Sequence, residues 1–90
     1  MKILTGVPTE SLSRLPELTE TLDAQGFSGI ATQENRHNPF LPLAIAAVHS
    51  KHLELRTNVA IAFARSPMVA AGLAWDLQSA SQGRFVLGLG

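Results

Sequence analysis

Four short apolar runs divide the sequence, "KILTGV", "FSGIAT", "LELRTNVAIAF" and "RFVLGLG", and a helix-length segment separates each from the next. Strands joined by a dozen or more residues do not form hairpins. They pair in parallel through right-handed crossovers. The expected order is β-α-β-α-β-α-β, with strands near 2–7, 28–32, 54–62 and 84–89. Three intervening helices are expected on one face of the sheet. The dense last run reads as a strand buried on both faces, and the third as exposed at its start and buried at its end.

The segments between the runs carry helix signals. Leu12, Leu15, Leu18 and Leu22 recur at spacings of three and four, which makes one apolar helix face. Pro16 suits the first turn of that helix and Gly26 its C-terminal cap. Pro39 and Pro42 bracket entry into "PLAIAAVHS". Ser66-Pro67 provides an N-cap and a first-turn proline for "MVAAGLAWDLQSASQ", which Gly83 closes. The architecture is α/β with a parallel sheet, either half of a (β/α) barrel or part of a doubly wound sheet. Periodicity does not separate these two.

Apolar residues make up 46% of the 90 and charged residues 16%, a composition that packs a core rather than staying disordered. Seven basic residues against seven acidic ones leave no basic footprint for nucleic acid. The absence of cysteine excludes a disulfide framework and a thiolate metal site. No run approaches the ~20 apolar residues of a membrane span, and "ILTGVP" is too short for a signal-peptide core. A single cytoplasmic unit over 1–90 is expected, with no nucleic-acid or membrane partner. A chain this short buries only about 60–65% of its unfolded surface. This one is rich in residues that need full burial, so its core is expected to be completed by further strands or by a second copy.

In either architecture the carboxyl ends of the strands form the functional rim. The richest rim segment, "TQENRHNPF", holds Glu34, Asn35, Arg36, His37 and Asn38. His37 or Glu34 could transfer a proton or orient a substrate there; alternatively, Asn38 and the prolines simply start the next helix. In "NVAIAFARSP", small Ala60, Ala62 and Ala64 leave room for a flat ligand, or simply fit a crowded sheet. Arg65 could meet an anion or be solvated. Gly88 and Gly90 make a lone GxG, a turn more readily than a phosphate cradle. His49 and His52 lack a third metal ligand and suit a helix C-terminus, so no metal is expected. Trp75 and Phe85 read as core, and Asp76 and Arg84 as a pair across the helix-strand turn.

The string "RSPMVAAGLAWDLQSASQGRFVLGLG" resembles the luciferase-like monooxygenase superfamily. The resemblance is carried by Arg65, Pro67, Ala74, Leu77, Ser81, Gly83, Arg84, Phe85, Leu87, Gly88 and Gly90. "ENRHNPFLPLAIAA" with "RTNVAIAFARSP" is similar to its branch of coenzyme F-420-dependent oxidoreductases, related to methylene-tetrahydromethanopterin reductase. The resemblance implies the N-terminal half of a (β/α)8 TIM barrel. It implies hydride-type transfer between a deazaflavin, with FMN as the alternative, and a small organic substrate. A non-prolyl cis peptide at the end of strand three would buttress the ring, and the matching segment is Asn58-Val59-Ala60. The resemblance assigns Asn58, Val59, Ala60 and Ala62 to the cofactor, Glu34 and His37 to catalysis, and Asn35 and Phe40 to the substrate. The competing expectation is a truncated, non-catalytic half-barrel that self-associates.

Overall fold

The structure, a computed structural model, describes residues 2–90; Met1, the first residue of the expected unit, lies outside the described residues. The strands are β1 (Leu4–Gly6), β2 (Gly29–Thr32), β3 (Glu54–Thr57) and β4 (Phe85–Val86), and the helices are α1 (Leu15–Ala24), α2 (Phe40–Val48) and α3 (Pro67–Ser81). Short 3-10 turns occupy Leu12–Arg14 and Ala62–Ala64. All three strand pairs are parallel, and the sheet order is β1-β2-β3-β4. That order resolves the architecture. A doubly wound sheet reverses its order at a switch point, whereas a barrel adds each strand on the same side of the last. No reversal occurs here, so the four strands wind as the first four of a (β/α)8 barrel do.

Alternation along each strand sorts its side chains onto two faces. Ile30, Thr32, Leu55, Thr57 and Phe85 point into the helix layer and are buried. They pack with Leu15 and Leu22 of α1, Phe40, Leu43, Ala46 and Ala47 of α2, and Leu77 of α3. Each such large side chain contributes roughly 1.5–3 kcal/mol through its burial. The opposite face, which lines the interior of a barrel, carries Leu4, Gly6, Gly29, Ala31, Glu54, Arg56 and Val86.

Several expectations are corrected. β3 ends at Thr57 rather than 62; the chain leaves the ladder there and rejoins it only at Ala60, which bridges Leu89, and the intervening Asn58–Val59 peptide bond is cis. The burial gradient of that run is also reversed. Leu55 and Thr57 are buried, while Ile61, Ala62 and Phe63 are exposed. Trp75, expected in the core, is 77% exposed. It lies two residues from buried Leu77, and residues two apart on a helix point to different faces.

Arg84 does not pair with Asp76. Its guanidinium instead donates to the carbonyls of Ser81, Leu53, Ala47 and Ser50 and to the Ser50 hydroxyl, at 2.8–3.1 Å. Those five bonds use the full donor set of an arginine. They tie the C-terminal ends of α2 and α3 together beneath β3 and β4, at the end of the sheet opposite the rim.

Candidate functional site

The loop after β2 is held at both ends. The Thr32 hydroxyl donates to the Pro39 carbonyl (2.8 Å), and Asn38 Oδ1 accepts from the backbone N–H groups of Phe40 (2.7 Å) and Leu41 (3.3 Å). Asn38 therefore starts α2. Between these anchors, the Glu34 carboxylate accepts from both terminal nitrogens of Arg65 and from the Ile61 N–H (2.6 Å). The Glu34 N–H donates to the Val59 carbonyl (3.3 Å). Arg65 also donates to the Ile61 carbonyl (3.3 Å), and its guanidinium carbon lies 5.0 Å over the Phe40 ring. The Glu34 and Arg65 side chains are only 11% and 12% exposed.

This arrangement determines the electrostatics. The Arg65 hydrogen bonds hold the Glu34 carboxyl below its ordinary value, with a further contribution from the Ile61 N–H, and together they outweigh partial burial. The same bonds raise Arg65. Glu34 is thus a fixed anion whose lone pairs are engaged, and it joins the β2–α2 loop to the backbone at Val59 and Ile61.

A groove of about 520 Å³ opens on the inner face at the rim. That volume falls within the roughly 300–1,000 Å³ typical of small-molecule sites. One wall is the end of β1 and its following turn, including Leu4, Thr5, Val7, Pro8 and Glu10; Ala31, Gln33, Asn35, Arg56 and Asn58 complete the lining. Asn35 and Asn58, from two different strand ends, therefore face one space. His37 is exposed and borders an adjoining shallow groove with Thr9, Glu10, Asn35 and Arg36. Val59 and Ile61 are about two-fifths exposed, and Ala62 is exposed in its 3-10 turn.

Two expected site residues lie inside the packing instead. Phe40 is 1% exposed, its ring beneath Arg65 and 6.3 Å from that of Phe85. Ala60 is fully buried by the backbone bonds it exchanges with Gly88 and Gly90. The terminal glycines prove to be packing positions. A Cβ on Gly88 would overlap the Thr57 carbonyl oxygen, and one on Gly90 would fall 2.6 Å from Val59 Cγ2. The end of β1, Thr5 to Pro8, lines the groove as a strand carboxyl end should, whereas Arg56 was not anticipated as a groove residue. The signal for Arg56 was present: strict alternation in "LELRTN" places Glu54, Arg56 and Asn58 on one side. Among the described residues no group of three or more His, Cys, Asp or Glu side chains is gathered for a metal, and no helix is long and apolar enough to cross a membrane.

Comparison with known proteins gives this geometry a family. An uncharacterized protein of Mycobacterium tuberculosis (strain H37Rv) and its Mycobacterium bovis counterpart are each 48% identical over all 90 residues. The chain spans about a quarter (26%) of the length of these relatives. Among solved structures, the monooxygenase RslO1 from Streptomyces bottropensis superposes with a TM-score of 0.88 at 25% identity, over 99% of this chain and 32% of that one. The FMN-bound oxygenating constituent of 3,6-diketocamphane monooxygenase from Pseudomonas putida gives 0.87 at 18%, over 100% and 29%. The coenzyme F-420-dependent tetrahydromethanopterin reductase from Methanopyrus kandleri gives 0.86 at 20%, over 98% and 26%. These superpositions establish the fold. The profile of the luciferase-like monooxygenases matches residues 2–90, and the chain belongs to that family.

Proposed function

We propose that the protein is an oxidoreductase that holds a flavin-type ring, deazaflavin F-420 in the first place and FMN as the alternative, at this rim. The observation that carries the reading is the single groove into which Asn35 and Asn58 converge. The chemistry of the lining fits such a ring: apolar Leu4, Val7, Pro8 and Ala31 offer faces, while the amides of Gln33, Asn35 and Asn58 offer donors and acceptors for a polar edge. The ring, when bound, supplies two-electron, hydride-type transfer to a small organic substrate.

The chain's own residues supply placement. Asn58, Val59 and Ala62 form the lip beside the ring, and buried Ala60 fixes that lip to β4. Glu34 acts as a positioning residue, pinning Val59 and Ile61 from below. Asn35 addresses the substrate, and exposed His37 on the adjoining groove is the group placed to exchange a proton with it. The unpaired outer edges of β1 and β4 pair with further strands of the same polypeptide or with a second copy, and residues 1–90 are one unit of that barrel.

Titration of the native-length protein with F-420 and with FMN, followed by the absorbance of each ring, tests the reading. Saturable binding of one ring is expected, weakened at least about tenfold by Ala31→Phe, which fills the groove, with the circular-dichroism spectrum unchanged. Binding of neither ring, or equal affinity in the variant, would overturn it.

A further inference from the structure

β2 ends at Thr32, yet the segment that follows β3 stays bonded on its β2 side. The Asn58 N–H donates to the Thr32 carbonyl (2.6 Å), and the Glu34 N–H donates to the Val59 carbonyl (3.3 Å). At Ile61 the partners are two side chains. Glu34 Oε1 accepts from the Ile61 N–H (2.6 Å), while Arg65 Nη1 donates both to that oxygen (3.0 Å) and to the Ile61 carbonyl (3.3 Å). The ion pair thus gives one residue an acceptor and a donor, as the peptide groups of a neighbouring strand would. On the opposite side, Ala60 and Ala62 donate to the carbonyls of Gly88 and Gly90 (2.8 and 2.9 Å).

The β2–α2 loop meets the same pair at two points. Glu34 belongs to the loop itself, and Phe40, the first residue of α2, lies beneath the Arg65 guanidinium at 5.0 Å. Between them Asn35, Arg36 and His37 are exposed. Arg65 therefore bears on both ends of the stretch that carries Asn35 and His37, and on the lip through Ile61. Charge-assisted bonds from one planar fork fix direction as well as distance, so a shift of the lip carries the loop with it.

We propose that Glu34 and Arg65 couple the two halves of the rim site: the lip and the β2–α2 loop open and close as one unit, so that seating a ring against the lip also fixes Asn35 and His37. This rests on the proposed oxidoreductase reading for what each half binds, and adds how the halves act together. The mechanical link is tested first without any ring, so the two readings fail separately.

Trypsin reads the opening directly. Arg36 lies in the exposed middle of the loop, and exposed Lys51, before the amino end of β3, serves as a control in the same molecule. Cleavage after each in the native-length protein is followed by mass spectrometry. Arg65→Met leaves the loop's own sequence untouched. It is expected to speed cleavage after Arg36 at least about tenfold, because proteolysis follows the population of the locally opened form, while the rate after Lys51 stays as in the wild type. Arg65→Lys, which keeps the charge but loses the planar fork, should fall between. Should Arg65→Met fail to fold, the lysine variant decides by the same comparison. Bound F-420 or FMN should slow cleavage after Arg36. An unchanged rate after Arg36 in the folded variants, an equal rise after Arg36 and Lys51, or a ring that binds without protecting Arg36 would overturn the coupling and leave the oxidoreductase reading standing.

Discussion

Glu34 and Arg65 lie on different loops, and their pairing is the clearest case of two side chains defining each other. The sequence marks both as rim residues, but nothing in the spacing of "TQENRHNPF" and "FARSP" tells that one cation would consume both oxygens of the carboxylate. That depends on the course of the chain from Thr57 through the turn at Ala62–Ala64 to Arg65, a tertiary fact. Glu34→Gln is expected to destabilise the fold by about 3 kcal/mol, at the low end for breaking a nearly buried pair. The sign of the pH dependence follows from the lowered carboxyl of Glu34. A depressed folded-state value means that the stabilisation is fully present above the ordinary carboxylate range and is lost as pH falls through the folded-state value. Urea midpoints measured at neutral pH and at progressively lower pH should therefore show the gap between wild type and Glu34→Gln narrowing with acid. A gap that is constant across that range would assign the pair no electrostatic role.

Among the elements, the helices were the most legible and the strand ends the least. The leucine period of α1, the Ser66 cap, whose Oγ accepts from the Val69 N–H at 3.1 Å, and the glycine beyond α3 are local signals that survive in the structure. The run "RTNVAIAF" was read as continuing strand because its composition suits one. Its departure from the ladder depends on how β3 meets β4, which composition does not encode. The same close meeting explains "GLG". The Thr57 hydroxyl donates to the Gly88 carbonyl and accepts from the Gly88 N–H, both at 2.9 Å, so no side chain fits at that crossing. Gly88→Ala should cost about 1–3 kcal/mol through overpacking. It should also loosen Ala60, which donates to the same Gly88 carbonyl. Thermal unfolding together with ring affinity would check this; a variant matching the wild type in both would show that the crossing is slack.

The whole molecule is a sheet wound in one direction with helices on its outside, and that much was readable from the alternation of runs. What the alternation left open, barrel or doubly wound sheet, was decided by strand order, because both architectures share the same βαβ units. The sheet's two ends differ in character: the rim carries the groove, while the opposite end is closed by the Arg84 bonds. Among the described residues its two outer strands, β1 and β4, have a partner on one side only, and such edges favour pairing. As a polypeptide of these 90 residues, the chain is expected to self-associate, with a two-fold pair of half-barrels as the leading geometry; a folded monomer persisting to high concentration in a sedimentation dilution series would refute this. The sequential order has a consequence in time as well as in space. Each strand finds its partner 25 or 30 residues along the chain, in a direction that never reverses. Loop closure then demands nearly the same entropy at every step. As the polypeptide leaves the ribosome, each new strand can add to an edge that has already formed, so the first turn of the barrel need not wait for the last.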